Sequence, residues 1–119
     1  QIAIAVPGQL PFWEIGFTVT NDGRNEVHIW QAPSGFNAAA ATATITLRGE
    51  RDEANKVTRY DAAIPWTTIG LNAENAAQGF RFNLLVNDND GDVREGFHAV
   101  APGLGTGKNA RLFPHLILR

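Results

Sequence analysis

The chain of 119 residues contains no cysteine and no methionine, and Ser34 is its one serine. Without cysteine, the chain has no disulfides, no thiolate nucleophile and no zinc site with sulfur ligands. Because a complete reading frame begins with methionine, we expect the chain to be processed or to be a fragment of a larger domain or protein. Ser34 lies in a Gly/Pro loop without a GxSxG motif, so no serine-nucleophile signature is present.

Long apolar runs and a strong net charge are also lacking. No apolar run approaches the roughly 18 residues that a membrane span requires, so we predict no membrane span. The net charge of −2 gives no field that draws the chain to nucleic acid or to anionic membranes. With 44% hydrophobic and 18% charged residues, residues 1–119 are expected to form a single folded domain.

Period-two alternation of apolar residues dominates the sequence and predicts strands rather than helices. Turn residues recur about every ten positions, as in a sandwich, and one short helical turn is expected within residues 66–79. The sequence therefore predicts an all-β sandwich of about eight strands. The predicted strands span residues 1–6, 12–20, 26–31, 41–50, 57–66, 79–88, 96–101 and 112–119.

An acidic segment, Asn87-Asp88-Asn89-Asp90-Gly91-Asp92, begins at the end of the predicted strand at residues 79–88. A calcium loop of the EF-hand type needs an oxygen ligand five residues before its glycine, and Val86 occupies that position. The favoured interpretation is a turn at Asp90-Gly91 whose side chains bond nearby backbone. A calcium site of other spacing, using Asp88, Asp90 and Asp92, is the alternative.

The histidines and carboxylates show no catalytic or metal-binding pattern. His28, His98 and His115 have no partner histidine at the spacing of a metal site. A haem bound by a Met/His pair is excluded because methionine is absent. Nothing in the sequence singles out a pair of carboxylates for glycoside hydrolysis. We therefore expect a protein that is not an enzyme and that requires no cofactor, structural calcium being the one candidate.

The three tryptophans are candidates for stacking on sugar rings. Trp13 shares the apolar face of its strand, and Trp66 follows Pro65 at a strand end, so both are predicted to lie in the core. Trp30 lies on the face opposite Val27 and Ile29, which makes it the best candidate for an exposed aromatic side chain.

Three segments together resemble the second half of family 9 carbohydrate-binding modules: YDAAIPW (60–66), GFRFNLLVNDNDGDVREG (79–96) and LFPHLIL (112–118). QIAIAV, EIGFTVT and VHIWQAP are similar to the middle strands of that family, so the resemblance covers nearly the whole chain. It implies an antiparallel, jelly-roll-like β-sandwich with one or two strands ahead of Gln1. It also implies sugar binding between two tryptophans, and bound structural calcium.

The chain departs from this family at the sugar site. The first tryptophan of the clamp would lie ahead of Gln1, and Gly107 is the nearest match to the second. A sugar-binding arginine of the family would fall near Gly16, and an acidic residue of the family corresponds to Gln1. The resemblance therefore implies the fold more firmly than it implies the clamp.

We predict a non-catalytic carbohydrate-binding module of a secreted or cell-surface bacterial protein, which could be attached to a carbohydrate-active enzyme. The expected ligand is a polysaccharide or oligosaccharide. The predicted contact residues are Trp30, His28, Gln31, Lys108 and Asn109. Two alternatives are a structural sandwich that has lost the sugar site and a haem domain of the same superfamily. If Gln1–Val6 forms an edge strand, it would pair with a missing upstream segment or with another chain.

Overall fold

The computed structural model describes residues 1–88 and 95–118. Within them the predicted all-β, antiparallel, sandwich-like fold of eight strands is confirmed. None of the described helices is long and apolar enough to cross a membrane. The strands are β1 (Ile2–Ala5), β2 (Trp13–Val19), β3 (Asn25–Gln31), β4 (Thr46–Asp52), β5 (Val57–Ala63), β6 (Phe80–Asp88), β7 (Gly96–Ala99) and β8 (His115–Leu116). The helices are α1 (Ala38–Thr44), α2 (Trp66–Ile69) and α3 (Ala73–Gln78), with a 3₁₀ turn at Ala110–Leu112.

Six strands form the larger sheet in the order β3-β2-β1-β6-β7, and β8 pairs with the beginning of β6. The smaller sheet is the β4-β5 hairpin. In the larger sheet β1 is a central strand, since Ile2 lies between Ile15 of β2 and Leu84 of β6. The expectation of an open edge at Gln1–Val6 is therefore wrong, because both sides of β1 are already paired.

One face of the larger sheet packs on the helices and the hairpin. Trp13 is fully buried there, as predicted, and its ring meets Phe36 edge-on at 5.0 Å between centroids. The indole nitrogen donates to the carbonyl oxygen of Ile69 at 3.2 Å. The buried members of this core are Ile4, Val6, Trp13, Ile15, Ala41, Ile45, Ile69, Leu71, Ala76 and Phe80.

The opposite face is covered by residues 102–111, the Gly-rich segment near the C-terminus. Ala3 and Leu85 of the sheet pack against Leu104, Phe12 and Phe113 in a second buried cluster. Phe12 and Phe113 meet edge-on, with centroids 5.1 Å apart. The segment after β7 is thereby held on this face, and it forms one wall of the cleft described below.

Three local predictions around the helices were wrong. The strand predicted at residues 41–50 begins only at Thr46, because an alanine run forms α1. The side chain of Asn37 caps that helix by accepting from the amide of Ala40 at 3.0 Å. Residues 66–79 hold two short helices instead of one turn. Trp66 begins α2 and is 44% exposed, so it does not belong to the core.

Asn83 is a fully buried amide in the middle of β6. Its Nδ2 donates to the carbonyl oxygens of Ala101, at 2.9 Å, and of Pro102, at 3.2 Å. Its Oδ1 accepts from the amide of Ala101 at 3.1 Å. One side chain therefore satisfies three backbone groups at the start of the Gly-rich segment and fixes that segment to the sheet.

Asn83→Ala should lower the free energy of unfolding by about 1–3 kcal/mol, because it leaves these backbone groups without partners. Asn87→Ala is the matched control, since Asn87 is an exposed amide of the same strand. Urea denaturation of both variants measures the difference. Equal stability of the two variants would contradict the role given to Asn83.

Candidate functional site: a cleft beside Trp30

The strand β3 carries one extra residue relative to β2. Ile15 lies opposite Ile29, but Glu14 lies opposite Gln31, so Trp30 has no partner in the ladder. This shift of register is a β-bulge, which changes the face of the sheet to which the following side chains point. Because of it, the consecutive residues Trp30 and Gln31 both line the same cleft as Glu14.

The indole of Trp30 lies over the backbone of Gly16. A Cβ atom added to Gly16 would overlap the six-membered ring of the indole, so only glycine leaves room for the ring in this position. His28, directly opposite Gly16 in the ladder, lies beside the ring with centroids 5.2 Å apart and planes tilted by 60°. Trp30 is nevertheless 52% exposed. The predicted exposure of this aromatic side chain is therefore confirmed.

A cleft of about 490 Å³ opens beside this indole. It combines one large aromatic surface with amides, a carboxylate and an ammonium group, while two leucines contribute apolar surface. The residues that line it are Gln1, Glu14, Trp30, Gln31, Leu85, Asn87, Leu104, Gly105 and Lys108.

A partly buried ion pair forms the polar part of the cleft. Lys108 Nζ lies 2.5 Å from Oε1 of Glu14, whose side chain is only 7% exposed, whereas that of Lys108 is 50% exposed. Lys108 Nζ also donates to the carbonyl oxygen of Leu104 at 3.3 Å, and Gln1 Nε2 donates to the same carboxylate at 2.5 Å. The ion pair therefore fixes the Gly-rich segment beside Trp30.

The structure brings together part of the predicted contact set. Trp30, Gln31 and Lys108 line the cleft, and His28 lies beside Trp30. Asn109 instead caps the 3₁₀ turn, since its Oδ1 accepts from the amide of Arg111 at 3.1 Å. Whether these residues contact a ligand stays a prediction.

Three parts of the cleft were not predicted from the sequence: Glu14, Asn87 and the wall formed by Leu104 and Gly105. Glu14 could have been singled out from the sequence, because it is an acidic residue inside a strongly apolar strand. Its pairing with Lys108 could not have been predicted, since 94 residues separate the two.

No metal site is found in the part of the chain that the structure describes. No group of three or more His, Asp or Glu side chains there has the geometry to hold a metal ion. Of the proposed calcium ligands, Asp90 and Asp92 lie outside the described residues, as does the side chain of Asp88, so calcium binding stays a prediction. Among the described residues that line the cleft, Glu14 is the one carboxylate, whereas most glycoside hydrolysis uses two.

Comparisons of this chain with protein-family models, with curated proteins and with solved structures found no match. The resemblance to family 9 carbohydrate-binding modules therefore stays a prediction that rests on the sequence segments alone.

Lys108→Met should lower the free energy of unfolding by about 1–2 kcal/mol, because the buried carboxylate of Glu14 loses its charged partner. Lys56→Met is the matched control, since Lys56 pairs with Glu53 at 2.8 Å in an exposed ion pair; it should lower stability much less, because solvent screens that pair. Denaturant unfolding compares the two variants. A loss that is equal in both would show that the Glu14–Lys108 pair contributes no more than a surface pair.

Gly16→Ala should displace the indole of Trp30, because the new methyl group would occupy the position of the ring. Stability should change by less than about 1 kcal/mol, since Trp30 is exposed and free to turn outward. Near-UV circular dichroism and the indole N–H resonance of Trp30 report the displacement. Gly96→Ala, at a strand glycine where an added Cβ meets nothing within 4 Å, is the control that should leave both signals unchanged.

Proposed function

We propose that this domain binds carbohydrate without catalysis, through the cleft beside Trp30. The observation that carries the proposal is the half-exposed indole seated on Gly16 at the rim of a polar cleft. Exposed aromatic rings flanked by amides and charged groups suit sugars, which present both apolar ring faces and hydroxyl groups. The implied setting is a secreted or cell-surface bacterial protein that attaches to polysaccharide.

Binding would join two kinds of interaction. The apolar face of one sugar ring would stack on Trp30, and the hydroxyl groups would bond to Gln31, Asn87 and the Glu14–Lys108 pair. Because Glu14 and Lys108 neutralise each other, the cleft favours a neutral sugar over a strongly charged one. Because the ion pair already holds the Lys108 side chain before a sugar binds, less side-chain entropy is lost on binding.

The cleft has a single aromatic wall. The segment facing it contributes Leu104, Gly105 and Lys108, and no aromatic side chain is among the described residues of the lining apart from Trp30. We therefore propose stacking on one side of the sugar, in contrast to the two-tryptophan clamp that the family resemblance implies.

Trp30→Ala should reduce affinity for a bound glycan by roughly tenfold to a hundredfold, since loss of one aromatic contact costs on the order of 1–3 kcal/mol. The measurement is a glycan array on the wild-type chain, followed by calorimetric titration of the best ligand. Trp66→Ala is the matched control: Trp66 is similarly exposed, at 44%, and does not line the cleft. Repeating the array with a calcium chelator tests the prediction that no cofactor is required.

Equal losses in both variants would reject the assignment of Trp30 as the platform. Absence of binding to every glycan, with a folded domain, would favour the second candidate, a structural sandwich without a sugar site. The missing second aromatic wall is the observation that supports this alternative.

A further inference from the structure

One oxygen atom of the buried Glu14 carboxylate has no hydrogen-bond partner among the described residues. Lys108 Nζ and Gln1 Nε2 both donate to Oε1, each at 2.5 Å, and no described donor reaches Oε2. The residue as a whole is only 5% exposed. Among the described residues, however, no side-chain oxygen is both fully enclosed and without a hydrogen bond. Because Glu14 lines the cleft beside Trp30, its Oε2 is reached from that cleft.

A carboxylate oxygen in this position is available to a ligand that donates a hydrogen bond. Polar atoms of mostly buried side chains nearly always have partners, because an unpaired polar group removed from water costs free energy. Here the partners of Glu14 all bind the other oxygen. The protein therefore presents a charged acceptor to the cleft and leaves it unpaired.

Lys108 presents a donor next to that acceptor. An ammonium group carries three N–H bonds. One points to Glu14 Oε1, and another donates to the carbonyl oxygen of Leu104 at 3.3 Å. The third has no acceptor among the described residues, and the side chain is 50% exposed where it lines the cleft. One ion pair thus offers the cleft an acceptor and a donor side by side.

The chemical group that fits this arrangement is a pair of neighbouring hydroxyl groups, since a hydroxyl both donates and accepts. We propose that the Glu14–Lys108 pair selects sugars with free hydroxyl groups on two adjacent ring carbons, that is, a vicinal diol. One hydroxyl donates to Glu14 Oε2 and the other accepts from Lys108 Nζ, while the ring stacks on Trp30. This inference rests on the proposed function and names the feature of the sugar that the cleft recognises.

The same pair disfavours other ligands. An anionic sugar meets the carboxylate of Glu14, and a metal ion or a cationic sugar meets the ammonium group of Lys108. An ether oxygen accepts but does not donate, so a ring whose adjacent hydroxyls are both substituted cannot bond to Oε2. Gln31 adds to this preference for donors: its Nε2 donates to the carbonyl oxygen of Phe12 at 2.9 Å, which leaves Oε1 as a further acceptor.

Isomeric ring diols test the inference without requiring a known glycan. The probe is trans-1,2-cyclohexanediol, which carries a vicinal diol on a six-membered ring. The control, trans-1,4-cyclohexanediol, has the same composition and an apolar ring, but its hydroxyl groups lie at opposite ends. Each is titrated into the whole chain while the indole N–H resonance of Trp30 is followed. The resonance of Trp66, which does not line the cleft, reports effects of the solvent alone.

The 1,2-isomer should bind about tenfold more tightly than the 1,4-isomer, because only the 1,2-isomer can bond to both atoms of the pair at once. The dimethyl ether of the 1,2-isomer should lose this advantage, since it has no proton to give to Oε2. These comparisons use the unaltered chain, so they do not depend on the folding of any variant.

A charge-neutral double variant locates the selectivity. Glu14→Leu combined with Lys108→Met removes both the acceptor and the donor, and replacing a buried pair by apolar residues is often tolerated. This variant should bind the two isomers about equally. The control, Glu53→Leu combined with Lys56→Met, removes an exposed ion pair outside the cleft and should keep the selectivity. Thermal melting establishes that both variants are folded.

Equal binding of the two isomers by the unaltered chain, or no response of Trp30 to either, would overturn the inference. Selectivity that survives in a folded Glu14→Leu, Lys108→Met chain would overturn it as well. If a glycan binds through Trp30 while the isomers bind equally, this inference fails and the proposed function stands. Selectivity for the 1,2-isomer without binding to any glycan would support the diol site and reject carbohydrate as its ligand.

Discussion

The geometry of the candidate site depends on the one-residue bulge between β2 and β3. In a regular ladder, Trp30 and Gln31 would point to opposite faces of the sheet. The extra residue places both on the face of Glu14, while Ile29 stays on the core side with Ile15. A strand that remains a core strand on one face can therefore present an indole and an amide together on the other.

The geometry of the candidate site also depends on Gly16 and on the Glu14–Lys108 pair. Gly16 has no side chain, so the ring of Trp30 can approach the backbone there. Lys108 reaches back to the buried carboxylate and fixes the Gly-rich segment against the sheet, with help from Asn83 at the start of that segment. The exposed ion pairs on the hairpin, such as Arg48 with Glu50, have no comparable role because solvent screens them.

Much of the fold was predictable because period-two alternation survives in almost every strand. The burial of Trp13 and the exposure of Trp30 both followed from it. The bulge was not predictable, since no single residue type marks it, and the Glu14–Lys108 contact depends on packing between distant segments. Helix α1 was missed because Ala and Thr alternate at its C-terminal end as they would in a strand, whereas the preceding alanines and the capping Asn37 favour a helix.

The most direct measurement is a ¹H–¹⁵N spectrum of the indole N–H groups during titration with an oligosaccharide selected from a glycan array. The chain has three tryptophans: Trp13 is buried and hydrogen-bonded to Ile69, while Trp30 and Trp66 are both exposed. The account predicts that the Trp30 resonance shifts with saturation and that the other two stay in place. Movement of the Trp66 resonance alone, or no movement of Trp30 while the sugar binds, would contradict it.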